Sequence, residues 1–354
     1  MAAGKAETLN SNGTQQMESL GRYFKSLYGH LVSDLGSVTW RSSSKARVWK
    51  SGAALLRGWK GAQDDTLPKP LMDTPSDDRF QLWGQRKAYS DWCTSVRVGK
   101  RLGGVAGRNE GALRRLLHRA TDCTTTIRGS GAKASAETTW RVSSALWHMT
   151  HLHELVACEG GFEGNAAALA SGSGPPPLVA PSCLALHSRL DVEDRAAVRR
   201  FARCVWNERF FTEGQGARMA GPLLRQVGED LAAAAAAGGA PGASAAGGGQ
   251  RLVLYSAHDY TLLSLMAAMR VAQYPDTLLG FGASLALEVI QGVPGPTVRA
   301  VLSPDPFPYG SAGRPALLSP HKACVLWEGV PLEAFLYMCS SAPAVEWPLP
   351  SADE

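Results

Sequence analysis

The chain has 354 residues, 45% of them hydrophobic and 19% charged, with a formal net charge of +5. That apolar share excludes disorder as the main state, the lack of a run of about 18 apolar residues argues against a membrane-spanning helix, and with no dense Lys/Arg tract there is no sign of a nucleic-acid partner. At roughly 150 residues per domain, the length fits two domains, or one large domain with an insertion.

The opening residues, Met1 to Glu7, hold no apolar core of a secretory leader, so none is expected in this stretch. Gly13 to Tyr28 is predicted helical, with Met17, Leu20, Phe24 and Leu27 at three- and four-residue spacing. Ser37 to Trp40 is a short β-prone run. Arg41-Ser42-Ser43-Ser44 then reads as a helix entry, and Lys45 to Trp59 as the helix it starts. The segment 74–212 changes character: Trp- and Arg-rich stretches are broken by Gly and Pro, Ser171 to Pro177 is loop-like, and Asp191 to Phe211 is an amphipathic helix. It reads as a mainly helical cap inserted between residues 1–73 and 213–354. Within the last part, 232–249 is an Ala/Gly tract that reads as a flexible insertion, with helix allowed in its first alanines.

Strand signals return at Arg251 to Tyr255, whose continuous apolar run suits a strand buried on both faces. Ser256-Ala257-His258-Asp259 follows, then a helix over Tyr260 to Met269. Leu285–Ile290 and Val298–Leu302 read as a hairpin joined around Gly292 to Pro296, and Pro331 to Met338 as a short helix. The fold class is therefore α/β, with strands and helices alternating at both ends of the chain.

Two strand-to-helix junctions carry candidate chemistry. In open α/β sheets, ligands bind beyond the carboxyl ends of strands, where helix N-termini present free N–H groups to an anion. Arg41 ends the first strand, and a guanidinium grips phosphate oxygens bidentately. His258 and Asp259 end the second: one offers a hydrogen bond, the other a proton for a leaving oxygen. The residues alone also fit a surface ion pair and a helix cap. His148, His151 and His153 form the one histidine cluster, but it matches no metal-ligand or HExxH pattern and reads as a polar helix face. Seven scattered cysteines without a CxxC pair argue against a zinc site of the usual spacing. The tryptophans, from Trp40 to Trp347, read as packing residues.

The stretch from Leu252 to Leu262, with His258-Asp259 inside it, resembles the HD signature of the histidine acid phosphatases. Further matches occur in that family's order. They are Leu9 to Gly21 with Tyr28, Arg41-Ser42-Ser43 through Arg47 to Ala54, Gly221 to Leu224, and Gly329 to Phe335, with Val330 where the family usually has cysteine. The resemblance implies a mixed sheet flanked by helices, of the phosphoglycerate-mutase-like kind, with a helical cap. It implies hydrolysis of a small phosphate monoester, without metal or organic cofactor. It makes Arg41 and His258 the phosphate-binding residues and Asp259 the proton donor.

The family's nucleophilic histidine lies in an Arg-His-Gly-x-Arg-x-Pro motif. No Arg-His-Gly occurs here, and none of the eight histidines stands in that context. Only eight residues precede Leu9, so truncation is the expected cause. The strand bearing that motif would then be missing, leaving its neighbours with unpaired backbone groups. The compartment is expected to be cytoplasmic for this chain as it stands, and secretory or lysosome-like if a leader was lost with the motif. A non-catalytic phosphate-ester-binding protein and an inactive fragment are the alternatives to a hydrolase. Substrate and oligomeric state carry no readable signal.

Overall fold

Helix α1 (Ser11–Tyr28) lays Met17, Leu20, Phe24 and Tyr28 against a common core, while Leu27 is 42% exposed. Tyr28, four residues after Phe24, completes the stripe that the pattern assigned to Leu27. The computed structural model of the chain describes residues 9, 11–32, 35–61, 67–72, 104, 108–109, 111–113, 115–116, 190–211, 215–238, 252–271, 279–304 and 323–342. Two units are present. One comprises Met1–Lys87, Glu213–Phe307 and Pro315–Pro348, and the other Ala88–Thr212, Pro308–Arg314 and Leu349–Glu354.

In the first unit, two 3-10 turns (Gly29–Leu31 and Leu35–Ser37) lead from α1 to strand β1 (Thr39–Ser42) and helix α2 (Ala46–Lys60). The helix–strand–helix order is the predicted one. α1 and α2 cross closely because glycine faces backbone on each side. A Cβ on Gly21 would stand 1.9 Å from the Leu55 carbonyl oxygen, and one on Gly58 would stand 1.9 Å from that of Glu18. Leu20, Val38, Trp40, Leu56 and Trp59 close the core between α1, α2 and β1. Apolar burial of this kind is the main source of the unit's stability.

Strand β1 runs two residues further than its pattern suggested. The helix-entry signal from Arg41 is overridden because both edges of β1 are occupied. β2 (Leu71–Met72) and β3 (Val253–Ser256) flank it, all parallel, and pair with Arg41 and Ser42 from both sides. The unpaired backbone expected beside a missing strand does not fall on β1, which pairs with β2 and, over four residues, with β3. β3 is half-buried throughout rather than buried on both faces, since among the described residues no strand pairs with its other edge.

In the second unit, helix α3 (Val192–Trp206) follows an Asp191 cap that accepts the Asp194 N–H at 2.8 Å. Its buried Val198, Phe201, Ala202 and Val205 keep helical spacing, and a π-helical turn (Asn207–Phe211) ends it inside the predicted range. The rest of the predicted cap, with His148, His151 and His153, lies almost wholly outside the described residues.

Back in the first unit, helix α4 (Gln215–Gly238) continues through the alanines to Gly238, as alanine's propensity allows. Residues 239–249 of the tract lie outside the described residues. α4 packs on helix α5 (Asp259–Ala268) and on helix α6 (Leu332–Ser340), burying Leu224, Leu263, Met266 and Phe335. The predicted hairpin is present as β4 (Ser284–Ile290) and β5 (Thr297–Ser303). β6 (Cys324–Pro331), not predicted, adds a third antiparallel strand beside β5. The fold is α/β with helices against sheet, but among the described residues the parallel and antiparallel strands form two sheets rather than one mixed sheet.

Candidate active site

The site stands where β1 and β3 end. Ser42 and Ser256 are register partners, so the two parallel strands stop side by side, and the Ser43 N–H reaches the Ser256 carbonyl at 3.2 Å as the last rung. Each strand turns into a helix within a few residues. β1 passes through Ser43, Ser44 and Lys45 into α2, and β3 through Ala257 and His258 into α5. The two turns touch through His258 Nε2 and Ser43 Oγ, 3.2 Å apart.

His258 caps α5. Its N–H donates to Thr261 Oγ1 at 3.3 Å, and its carbonyl accepts the Thr261 N–H at 3.1 Å, an exchange that closes the first turn. The Tyr260 ring stacks on the imidazole, with centroids 4.8 Å apart and planes 12° from parallel. Burial pushes the His258 imidazole down to about 4, and the nearby charges of Arg47 and Lys45 push the same way. Asp259 is half-buried and accepts the Tyr260 N–H at 2.8 Å. Burial raises its carboxyl above the ordinary value, opposed by backbone hydrogen bonds and by Arg47. The geometry thus sets a neutral imidazole beside a carboxyl held toward its protonated form, within the field of two cations.

Arg41 takes a different place. Lying inside β1, it alternates away from the buried Trp40 and Ser42 and is engaged by Asp230 of α4. Arg41 Nη2 lies 3.4 Å from Asp230 Oδ1, and Nε 3.4 Å from Oδ2. Gln226 Nε2 donates to the same carboxylate at 3.3 Å, and the Tyr255 hydroxyl donates to its other oxygen. Burial and this bond hold the Tyr255 phenol well above its ordinary value. The structure thus brings His258 and Asp259 together as expected, and holds Arg41 in a network with the helix behind the strand.

Ser43, Lys45, Arg47, Tyr260 and Asp230 were given no site role from the sequence, although Ser43, Arg47 and Tyr260 lie in the stretches that carry the family resemblance. One signal was available. Lys45 and Arg47 sit at the start of α2, whose first turn holds no acidic residue. Cations there oppose the helix dipole, so the helix itself gives no reason for them, and an anionic ligand would. Among the described residues no group of three or more His, Cys, Asp or Glu side chains could hold a metal ion, and no helix is long and apolar enough to cross a membrane.

Residues 2–90 match the model of the histidine phosphatase superfamily (branch 2). No curated protein matches the chain. Among solved structures, the phytase from Citrobacter braakii is 14% identical with a TM-score of 0.64, and the match covers 99% of this chain and 92% of that one. The Hafnia alvei phytase in complex with tartrate is 12% identical with a TM-score of 0.59, covering 99% and 91%. The same phytase in complex with myo-inositol hexakis sulphate has a TM-score of 0.58 at 12% identity and the same coverage. At such identities the likeness is one of fold. The amino-terminal stretch 2–90 is thus similar to the histidine phosphatase superfamily (branch 2), and the chain shares its fold with these phytases.

Proposed function

We propose that the chain carries the phosphate-binding and proton-donating part of a phosphate-monoester hydrolase of the histidine acid phosphatase type. The observation that carries this is the meeting of two helix N-termini, α2 and α5, at adjacent parallel strand ends, with Lys45 and Arg47 bringing positive charge to His258 and Asp259. Such an arrangement favours a small dianion through N–H groups and fixed cations. The superfamily match and the phytase fold support the same reading, and the anion-bound Hafnia alvei structures bear on the ligand class.

The roles in this reading are assigned as follows. Lys45, Arg47 and His258 hold the phosphoryl oxygens and stabilise charge on them during transfer. Arg41 stiffens β1 through Asp230; its expected grip on phosphate requires leaving that ion pair. Asp259, its carboxyl held toward the protonated form by burial, gives its proton to the ester oxygen as the P–O bond breaks, which releases a neutral alcohol. Its carboxylate then takes a proton from the water that cleaves the phosphohistidine. The histidine that forms this intermediate belongs to an Arg-His-Gly-x-Arg-x-Pro motif, which the 354 residues do not contain. A non-catalytic phosphate-ester binder is the second reading, favoured by the same absence.

The test is hydrolysis of p-nitrophenyl phosphate between about pH 4 and about pH 8, the span of carboxylate and histidine titration. The chain alone should bind the ester without turnover. Added imidazole, supplied as the nucleophile, should restore turnover to the chain but not to His258→Ala. Turnover above that variant without imidazole contradicts the missing-nucleophile account. Binding with no rescue favours the non-catalytic reading.

A further inference from the structure

The cations at the start of α2 and the histidine before α5 come from distant pieces of chain, and Ser256 ties the two pieces together. Ser256 is the last residue of β3 and lies two positions before His258. Its hydroxyl donates to the Val48 carbonyl at 3.1 Å. A carbonyl oxygen only accepts, so the direction of this bond is fixed. Val48 lies in the first turn of α2, where its N–H and that of Trp49 close on the Lys45 carbonyl at 2.9 and 3.2 Å. That turn begins at Lys45 and carries Arg47. Ser256 also accepts the Ser43 N–H on its own carbonyl, at 3.2 Å. The connection between β1 and α2 is therefore held at both ends by one residue: its main chain takes Ser43 where the connection leaves β1, and its side chain takes Val48 where it has entered α2. The helix side is shaped for this approach. A Cβ on Gly52, one turn after Val48, would stand 2.6 Å from Ser256 Oγ and 2.6 Å from Trp40 Nε1, so the bond needs a residue without a side chain there.

We propose that Ser256 is a positioning residue for the anion site: its hydroxyl clamps the first turn of α2 to the end of β3 and so sets Lys45 and Arg47 at their distance from His258. The consequence for phosphate rests on the reading above; the clamp itself does not. The Ser256 side chain is spent on the helix backbone, so it acts on a ligand through the two cations. The imidazole reports their placement. It is flanked by Lys45 and Arg47 of α2 and by Asp259 and Tyr260 of α5, and burial and the two cations together hold it neutral. Releasing the turn lets water in and the cations out, and both changes make the ring easier to protonate.

The experiment pairs calorimetric titration of the full chain with inorganic phosphate and nitrogen-15 NMR of its histidine rings, the His258 signals being identified by their loss in His258→Gln. Ser256→Ala should bind phosphate about fivefold more weakly, as for loss of one neutral hydrogen bond. In the Arg47→Ala background the same change should cost only about twofold, because the clamp then has one cation fewer to place. His258 should titrate near 4 in the wild type and closer to 6.5 in Ser256→Ala. Gly52→Ala reaches the same joint from the helix side: its methyl displaces either the hydroxyl or α2, and it should weaken phosphate binding as Ser256→Ala does. Wild-type affinity in either variant, an equal loss in both backgrounds, or a His258 titration unmoved by Ser256→Ala overturns the proposal. A shifted titration in Ser256→Ala, with no phosphate bound even by the wild type, overturns the phosphate reading and leaves the clamp standing.

Discussion

At the scale of single residues, burial moves two neighbouring titrations away from their ordinary values, the imidazole down and the carboxyl up. His258 has a folded value near 4 against an ordinary 6.5. Between those values the unfolded chain binds a proton that the native ring refuses, so stability falls as pH drops through that window. Wild type should therefore lose stability relative to His258→Gln from about pH 6.5 to about pH 4, as read by urea unfolding at stepped pH; parallel curves would contradict the buried neutral ring. Asp259 has the opposite sign. Its native carboxyl is raised above 3.8, so its contribution is full at low pH and fades as pH rises through the folded value. Relative to Asp259→Asn, wild type should weaken as pH climbs above about 4; a wild type that gains on the variant over that range would show a carboxylate stabilised rather than buried. His258 and Asp259 were legible in the sequence because they lie just beyond a strand run, inside the stretch that resembles the HD signature. Arg41 was singled out as a candidate phosphate-binding arginine, but its engagement by Asp230 was not legible. The pattern ended the strand at Trp40, whereas pairing from both sides carries the ladder through Ser42 and turns Arg41 toward Asp230, 189 positions away. No local signal reports a partner at that distance.

At the scale of elements, the α1–α2 crossing holds the β1–α2 turn in place. Gly21 and Gly58 let the two backbones meet, and a methyl at either would run into a main-chain carbonyl rather than a side chain that could swing away. Gly58→Ala should cost about 3 kcal/mol, at the upper end of overpacking penalties, measured by denaturant unfolding, and should weaken phosphate binding only as far as α2 shifts. A neutral or stabilising Gly58→Ala, the usual result for an exposed helical glycine, would show that the crossing is looser than described. The helices and the hairpin were readable because their apolar spacing and the Gly/Pro turn at 292–296 are local. β6 was not. Its exposure follows no period of two, its ladder with β5 carries register shifts, and Gly329 has a left-handed φ of 71° before Pro331. These features read as loop until a partner strand is present.

At the scale of the whole molecule, alternating strand and helix signals at both ends of the chain announced an α/β fold, and the observed elements bear this out. Strand order was not readable, because pairing of β1 with β3 joins segments more than 200 positions apart. That pairing brings the basic start of α2 against the histidine cap of α5, and the proposed anion site rests on this meeting of two distant pieces of chain. The site's charge comes from Lys45 and Arg47, with Arg41 balanced by Asp230. The most direct measurement is a calorimetric titration of the folded chain with inorganic phosphate, repeated on Arg47→Ala and Arg41→Ala. The expected result is one phosphate per chain, with affinity reduced about tenfold or more by Arg47→Ala, as for loss of a charge-assisted bond, and reduced less by Arg41→Ala. No binding by folded wild type, or binding untouched by Arg47→Ala, would contradict a phosphate site at the ends of β1 and β3.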